Sequence, residues 1–315
     1  MWLMERIALG ATGLPATPVG FGGAPFGLLG EPASASDPLL RALLDLGVAL
    51  VDTAAGYADS EVAIGRAIGD RRDEYTLVSK CGPKVGDLSG EEWSPELIAA
   101  SIDRSLRRLR TDRIDVMLLH SCELDVLQRG EALEALRRAR AAGKIRFLGY
   151  SGDNEAATYA AEQPDVAVIE TSVSIADQHN IDGVLAVARR RNLGVLAKRP
   201  IANAAWKQPE QQPGFYRDYS SIYHQRLASM ELTLEQLDYP DGGAPETAWP
   251  ELALRFTLSQ PGVHSAIVGT TNPAHVAANI AAVDKGPLPA AQVEAIRAAF
   301  ARAEEAESEE WRAQR

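Results

Sequence analysis

The sequence predicts a (β/α)8 barrel, and three observations carry that prediction. Eight short apolar runs rich in β-branched residues follow one another along the 315 residues. Longer segments with apolar residues at helical spacing lie between them. The runs are almost continuously hydrophobic rather than alternating, the pattern of parallel strands covered on both faces. Alternating strand and helix patterns build a parallel sheet, and this length suits one barrel domain over residues 1–315.

The eight runs are "VGFGGA" (19–24), "VALVDTA" (48–54), "YTLVSK" (75–80), "IDVMLLH" (114–120), "IRFLGYS" (145–151), "VAVIETS" (166–172), "LGVLAKR" (193–199) and "HSAIVGTT" (264–271). Four helical segments carry end signals. "SPELIAASIDRSLRRL" opens with Ser94 and Pro95, an N-cap followed by proline at the first helical position. "RGEALEALRRARAAGK" runs to Gly143, a natural C-cap. "NPAHVAANIAAV" opens Asn-Pro, and "PAAQVEAIRAAFARAEEAESEEW" supplies a final helix. A doubly wound open sheet would carry G-x-G-x-x-G opening a helix after its first strand. "GFGGAPFGLLGE" resembles that loosely, and no helix is expected at its glycines. Residues 202–246 hold no clear strand and form a long loop after strand seven. Their aromatics, Trp206, Phe215, Tyr216, Tyr219 and Tyr223, allow two readings, a substrate-facing lid or a solvent-exposed excursion with a short packed helix.

The net charge is −11 and the pI about 5.1, which disfavours nonspecific binding to nucleic acid or an anionic membrane. The basic runs "RSLRRLRTDR" and "ARRRN" fall on helical patterns and are expected on solvated faces. Cys81 and Cys122 are the only cysteines, so neither a disulfide framework nor a zinc cluster is expected, and a cytoplasmic setting is. The N-terminal "MWLMERIALGATG" lacks the apolar core of a signal peptide, and no apolar run is long enough to span a bilayer.

In such a barrel the C-terminal strand ends line the active site. The second strand ends at Asp52, with Tyr57 in its loop, the third at Lys80 and the fourth at His120. Singly, each has an ordinary structural explanation. Together they make a coherent proton-transfer set. A free phenol has a pKa near ~10 and donates poorly at neutral pH. A lysine beside it lowers that value, and a carboxylate holds the lysine in place. A histidine then donates to the substrate oxygen, and the tyrosine serves as general acid. The set has no electron source, so a hydride-donating cofactor is implied.

With these residues in hand, the chain is identified as resembling the aldo-keto reductase superfamily over nearly all its length. "VDTAAGYADSEVAIGRAI" resembles the family's Asp–Tyr signature, and "LVSKCG" its lysine strand. "RSLRRLRTDRIDVMLLH" resembles the segment leading to its histidine. "LGATGLPATPVGFGGAPFG", "GKIRFLGYS", "GVLAKRP" and "IVGTTNPAHVAANI" follow in family order. The resemblance implies carbonyl–alcohol interconversion with NAD(P)H, with Asp52, Tyr57, Lys80 and His120 as catalytic tetrad. It implies a cofactor extended across the barrel mouth, NADP more than NAD, near Gly22 and Gly23. Ser151 and Glu170 match carboxamide contacts, and Lys198 and Arg199 stand where many members stack an aromatic on the nicotinamide. Gly269, Thr270, Thr271, Asn272, His275 and Asn279 match the segment that grips the adenosine 2′-phosphate. The helix opening at Asn272-Pro273 would add backbone N–H groups.

Several positions depart from the family pattern. Gly152 replaces an asparagine, leaving Asp153 or Asn154 as substitutes. Glu170 replaces a glutamine, and Gly269 a basic residue. The loop 81–96, with Trp93, and the long loop after strand seven are expected to set specificity for a small carbonyl or alcohol. Two alternatives remain at this level. One is a lyase using Lys80 as a Schiff-base amine. The other is a non-catalytic relative that senses cofactor or binds a partner.

Overall fold

The computed structural model describes residues 4–29, 36–212, 214–239, 245–308 and 310–314. Eight parallel strands close into a barrel, so the open sheet is ruled out. They are β3 (Val19–Gly22), β4 (Leu50–Asp52), β5 (Thr76–Cys81), β6 (Ile114–His120), β7 (Ile145–Ser151), β8 (Val166–Ser172), β9 (Gly194–Lys198) and β10 (Ser265–Val268). β10 pairs with both β9 and β3, which completes the ring. All eight expected runs therefore hold a strand.

A hairpin of β1 (Ile7–Ala8) and β2 (Pro15–Ala16) precedes the barrel. Its Leu9, Leu14 and Ala16 pack in one cluster with Leu50, Val78, Val116, Leu118, Val168 and Leu196. That cluster fills the barrel interior from the N-terminal side. A larger cluster joins the outer strand faces to the helices. Between β7 and β8 the register shifts at Leu148/Gly149. A Cβ on Gly149 would stand 2.1 Å from the Val168 carbonyl oxygen, so only glycine lets these backbones approach.

The helices follow their end signals. α4 (Pro95–Leu109) is capped by Ser94, whose side chain accepts from Leu97 N. α6 (Glu131–Ala141) stops just before Gly143, which is left-handed. α12 (Pro273–Asp284) and α13 (Ala290–Glu307) occupy the last two patterns.

Three expectations need correction. A short helix, α1 (Ala24–Leu28), does start at the glycine run, with Gly23 as N-cap and a proline in its first turn. Pro25 suits that turn because its missing N–H is not needed there. Arg104, within the first basic run, is buried rather than solvated. It donates to the Val85 carbonyl at 2.8 Å, so its charge braces a loop. Thirdly, the segment after β9 holds a helix of 17 residues, α10 (Gly214–Met230), not a short one. α10 packs with α11 (Pro245–Leu258), α13 and Trp311 in a second apolar cluster beside the barrel. Residues 213 and 240–244 and the side chains of Phe215 and Tyr219 lie outside the described ones.

Candidate active site

The pleat builds the site. Residues two apart on a strand share a face. Leu50, Val78, Leu118, Val168 and Leu196 belong to the interior cluster. Two residues beyond each come Asp52, Lys80, His120, Glu170 and Lys198. These polar groups therefore form the next layer, at the C-terminal mouth.

Lys80 is fully buried and sits at the centre of that layer. Its Nζ donates to the two Asp52 carboxylate oxygens at 2.6 and 2.7 Å and to the Thr53 carbonyl at 3.1 Å. Glu170 Oε2 lies 3.3 Å from the same Nζ. Ser151 Oγ donates to Glu170 Oε1 at 3.3 Å. Lys80 Nζ is 5.2 Å from the centroid of the half-buried Tyr57 ring. The Tyr57 and His120 rings meet edge to face at 5.6 Å. Arg108 holds the Tyr57 loop through the Ala58 carbonyl at 2.9 Å. The left-handed residue of that loop is Ala58.

Electrostatics follow from this crowding. Burial works against the Lys80 charge, but Asp52 and Glu170 outweigh it and keep the ammonium well above its usual range. Lys80 is thus a structural cation without a free lone pair, which disfavours the Schiff-base alternative. Burial and then Glu170 push Asp52 up, against the pull of Lys80. Tyr57 departs from expectation. Burial raises its phenol, and Asp52 and Glu170 oppose the lowering by Lys80, so the net direction is upward. Burial, then Lys80 and Lys198, lower His120 to about 3, which leaves a neutral imidazole.

A cavity of about 420 Å3 opens above the cluster, within the usual range for small-molecule sites. Asp52, Tyr57, His120, Ser151 and Glu170 line it, as do Gly22, Lys198, Arg199, Gly269, Thr270, Thr271 and His275. Three expected residues stand elsewhere. Gly23 turns toward Ser60, where a Cβ would meet Oγ at 2.5 Å. Asn272 caps α12, accepting from Ala274 N at 2.9 Å. Asn279 is buried along that helix. Thr270 Oγ1 pairs with His275 Nδ1 at 3.0 Å. A side chain at Gly269 would strike the Pro25 ring at 2.8 Å, so a basic residue does not fit there.

Neither candidate for the missing asparagine reaches the cavity. Asp153 is spent on Lys198 at 2.7 Å, on Ser172 N at 2.7 Å and on Asn180 at 2.9 Å. The Asn154 side chain donates to Ala313 O and accepts from Ala313 N. Trp93 also lies away from the cavity, with its ring against Gly82. Sequence reasoning missed Ser121, Ile201, Asn203 and Gln212, which do line it. Ser121, one residue past a strand end, was within reach of the strand-end rule. The other three carry no periodic signal. Among the long segment's described aromatics, Tyr216 lines the cavity. Tyr223 is buried, donating to Asp177 at 2.6 Å, and Trp206 stacks on Trp249.

This closed barrel, with a buried lysine–carboxylate pair beside a tyrosine and a histidine at its mouth, defines a class. The chain belongs to the aldo/keto reductase family, which it matches over residues 18–301. It is 27% identical over 305 residues to an L-galactose dehydrogenase from Arabidopsis thaliana, covering 90% of this chain and 89% of that one. It is 27% identical over 313 residues to an NADH-specific methylglyoxal reductase from Escherichia coli, covering 89% and 94%. In fold it is similar to the holo form of an aldo-keto reductase from Bacillus halodurans, with TM-score 0.78 and 24% identity over 94% and 96% of the chains. The protein is an oxidoreductase of the type that uses nicotinamide cofactors. Among the described residues no helix is long and apolar enough to cross a membrane, and no group of His, Cys, Asp and Glu could hold a metal.

Proposed function

We propose that the enzyme interconverts a small aldehyde, ketone or sugar carbonyl and its alcohol, with Tyr57 moving the proton. The observation that carries this reading is the convergence of Tyr57 and His120 over the buried Lys80–Asp52 pair. A bound nicotinamide dinucleotide supplies the hydride. In reduction the carbonyl oxygen takes its proton from the Tyr57 hydroxyl, and in oxidation the proton returns. Neutral His120 offers a ring N–H to the same oxygen and so orients the substrate. Lys80 compensates the negative charge left on the phenol, and Asp52 keeps Lys80 in position.

The residues at the mouth fit such a cofactor. Ser151 offers a hydroxyl, and the buried Glu170 Oε2, which faces Lys80 at 3.3 Å, makes no hydrogen bond, so the pair suits the amide of a carboxamide. Gly22, Lys198 and Arg199 would flank the ring and pyrophosphate, with Gly23 supporting the strand end from behind. Thr270, Thr271 and His275 would meet the adenosine end. NADP is the nucleotide expected from the segment 269–279. A second reading, NAD, also has an observation in its favour. His275 is the one basic side chain in that segment, and Asn272 already occupies the first N–H of α12. Two buried free thiols support a cytoplasmic setting.

The test is a fluorescence titration with NADPH and NADH, followed by turnover of 4-nitrobenzaldehyde and a panel of ketones and aldoses. Tight binding of at least one nucleotide with turnover is expected. Absence of nucleotide binding sinks the reading, and binding without turnover favours a non-catalytic relative. Tyr57→Phe is expected to lower turnover by roughly 10²–10⁴-fold at nearly unchanged nucleotide affinity. Full activity in that variant removes Tyr57 from its role.

A further inference from the structure

Lys80 has two carboxylate neighbours where one is enough to neutralise it. Asp52 grips it with both oxygens, and Glu170 Oε2 adds a third contact at 3.3 Å. All three groups are buried. The trio carries a net charge of −1 when both carboxylates are ionised. The nearest further cation on the neighbouring strand, Lys198, is held by Asp153 at 2.7 Å. Arg199, next along the chain, donates to the Tyr223 hydroxyl and the Gln314 carbonyl. His120 faces Tyr57 and is neutral.

We propose that Glu170 is a second counter-carboxylate of Lys80 that moderates the lysine's pull on Tyr57 and keeps the phenol protonated. This rests on Tyr57 as the proton-transfer group of the proposed reaction. Asp52, Glu170 and a Tyr57 phenolate compete for a single ammonium. In a buried site, charge on Lys80 can stabilise a phenolate 5.2 Å away only to the extent that nearer anions leave it uncancelled. Asp52 alone would balance Lys80. Glu170 adds a second negative charge beside it, which opposes the stabilisation that Lys80 and Arg199 lend to a phenolate. Burial is the main cause that holds the Tyr57 phenol up; beyond it, Lys80 and Arg199 lower it, and Asp52 and Glu170 raise it. Glu170 touches Lys80, not Tyr57, and is therefore a positioning residue whose effect is electrostatic. Its other oxygen accepts from Ser151, so a glutamine in its place keeps the size and an acceptor while removing the charge.

The experiment reads Tyr57 ionisation directly. A fluorinated tyrosine, whose phenol ionises at lower pH, is placed at position 57, and its 19F resonance is followed against pH. Glu170→Gln is expected to move the midpoint down by about one pH unit, or about tenfold more phenolate at a given pH. Glu170→Met, neutral and without hydrogen-bonding atoms, is expected to shift it in the same direction, and it serves if the glutamine variant folds poorly. An unchanged or higher midpoint in a folded variant overturns the proposal. The role of Tyr57 is judged separately, by turnover of Tyr57→Phe. A failure of that reading and a failure of this one are thus distinguishable.

Discussion

Two walls of the same cavity are made in different ways. On one side Asp52, Lys80 and His120 end three neighbouring strands, and hydrogen-bonded register fixes them relative to one another. Asp52 pairs with Val78 across β4–β5, and Lys80 with Leu118 across β5–β6. On the other side Ile201, Asn203, Gln212 and Tyr216 come from the excursion after β9. There the backbone is irregular, and the non-glycine residues Arg199, Ala202, Asn203 and Ala204 all have left-handed φ. Such conformations cost of order 1–3 kcal/mol each and persist where packing enforces them. The ladder wall is rigid by construction and holds the acid–base groups. The excursion wall is held by its own side chains, and on loops of this kind such barrels vary specificity.

The sharpest way to break the ladder wall is Lys80→Met. It leaves Asp52 and Glu170 as two buried carboxylates with no cation between them. Removing one partner of a buried pair costs about 3–5 kcal/mol. Turnover is expected to fall by roughly 10²–10⁴-fold and the urea midpoint to drop at neutral pH. The sign of the pH dependence is definite. Without Lys80 the folded carboxyls sit above their unfolded pKa near ~4, so the folded state binds more protons as pH falls. The stability deficit should therefore shrink between about pH 7 and pH 5. A deficit that grows on acidification, seen in urea melts at the two pH values, contradicts the buried trio.

The excursion wall is tested more gently by Gln212→Ala. The Gln212 amide donates to the carbonyls of Asn203 and Ala204 at 3.1 and 2.9 Å, pinning two of the left-handed residues. Losing bonds worth about 1 kcal/mol each should let that wall move. The expected result is an about three- to tenfold rise in KM with kcat within about twofold. A fall in kcat as large as that of a ladder-wall variant erases the distinction between the two walls.

The same contrast explains what the sequence could tell. Every barrel strand was legible, because a parallel barrel strand is a continuous apolar run. Asp52, Lys80 and His120 were legible because the C-terminal strand ends of such a barrel line its mouth, and Tyr57 because it sits in the loop beyond one of them. Gln212 and Asn203 had no such rule. Their place depends on α10 docking against α11 and α13, contacts far apart in sequence. Trp93 misled for a related reason. It looked like a specificity aromatic, but Gly82 leaves a hollow that its ring fills. Gly23, Asn272 and Asn279 came from resemblance alone, and resemblance marks a segment more reliably than the direction of each side chain within it.

The smallest effect concerns one of those residues, Asn272. Its side chain accepts from Ala274 N and its own N–H donates to Thr270 Oγ1 at 3.0 Å. Both bonds are local, and the first is an ordinary N-cap. As a cap alone, Asn272→Ala should cost about 1 kcal/mol in a thermal or urea melt. Nucleotide affinity should then change by less than about twofold, since Thr270, Thr271 and His275 still line the cavity. If the side chain instead leaves Ala274 to meet the adenosine end, affinity should fall by about tenfold or more, at the strength of a hydrogen bond to a charged group. Paired melts and NADPH or NADH titrations separate these outcomes, because the cap contributes to stability in the absence of nucleotide and a ligand contact does not. A drop in stability without a drop in affinity assigns Asn272 to the helix.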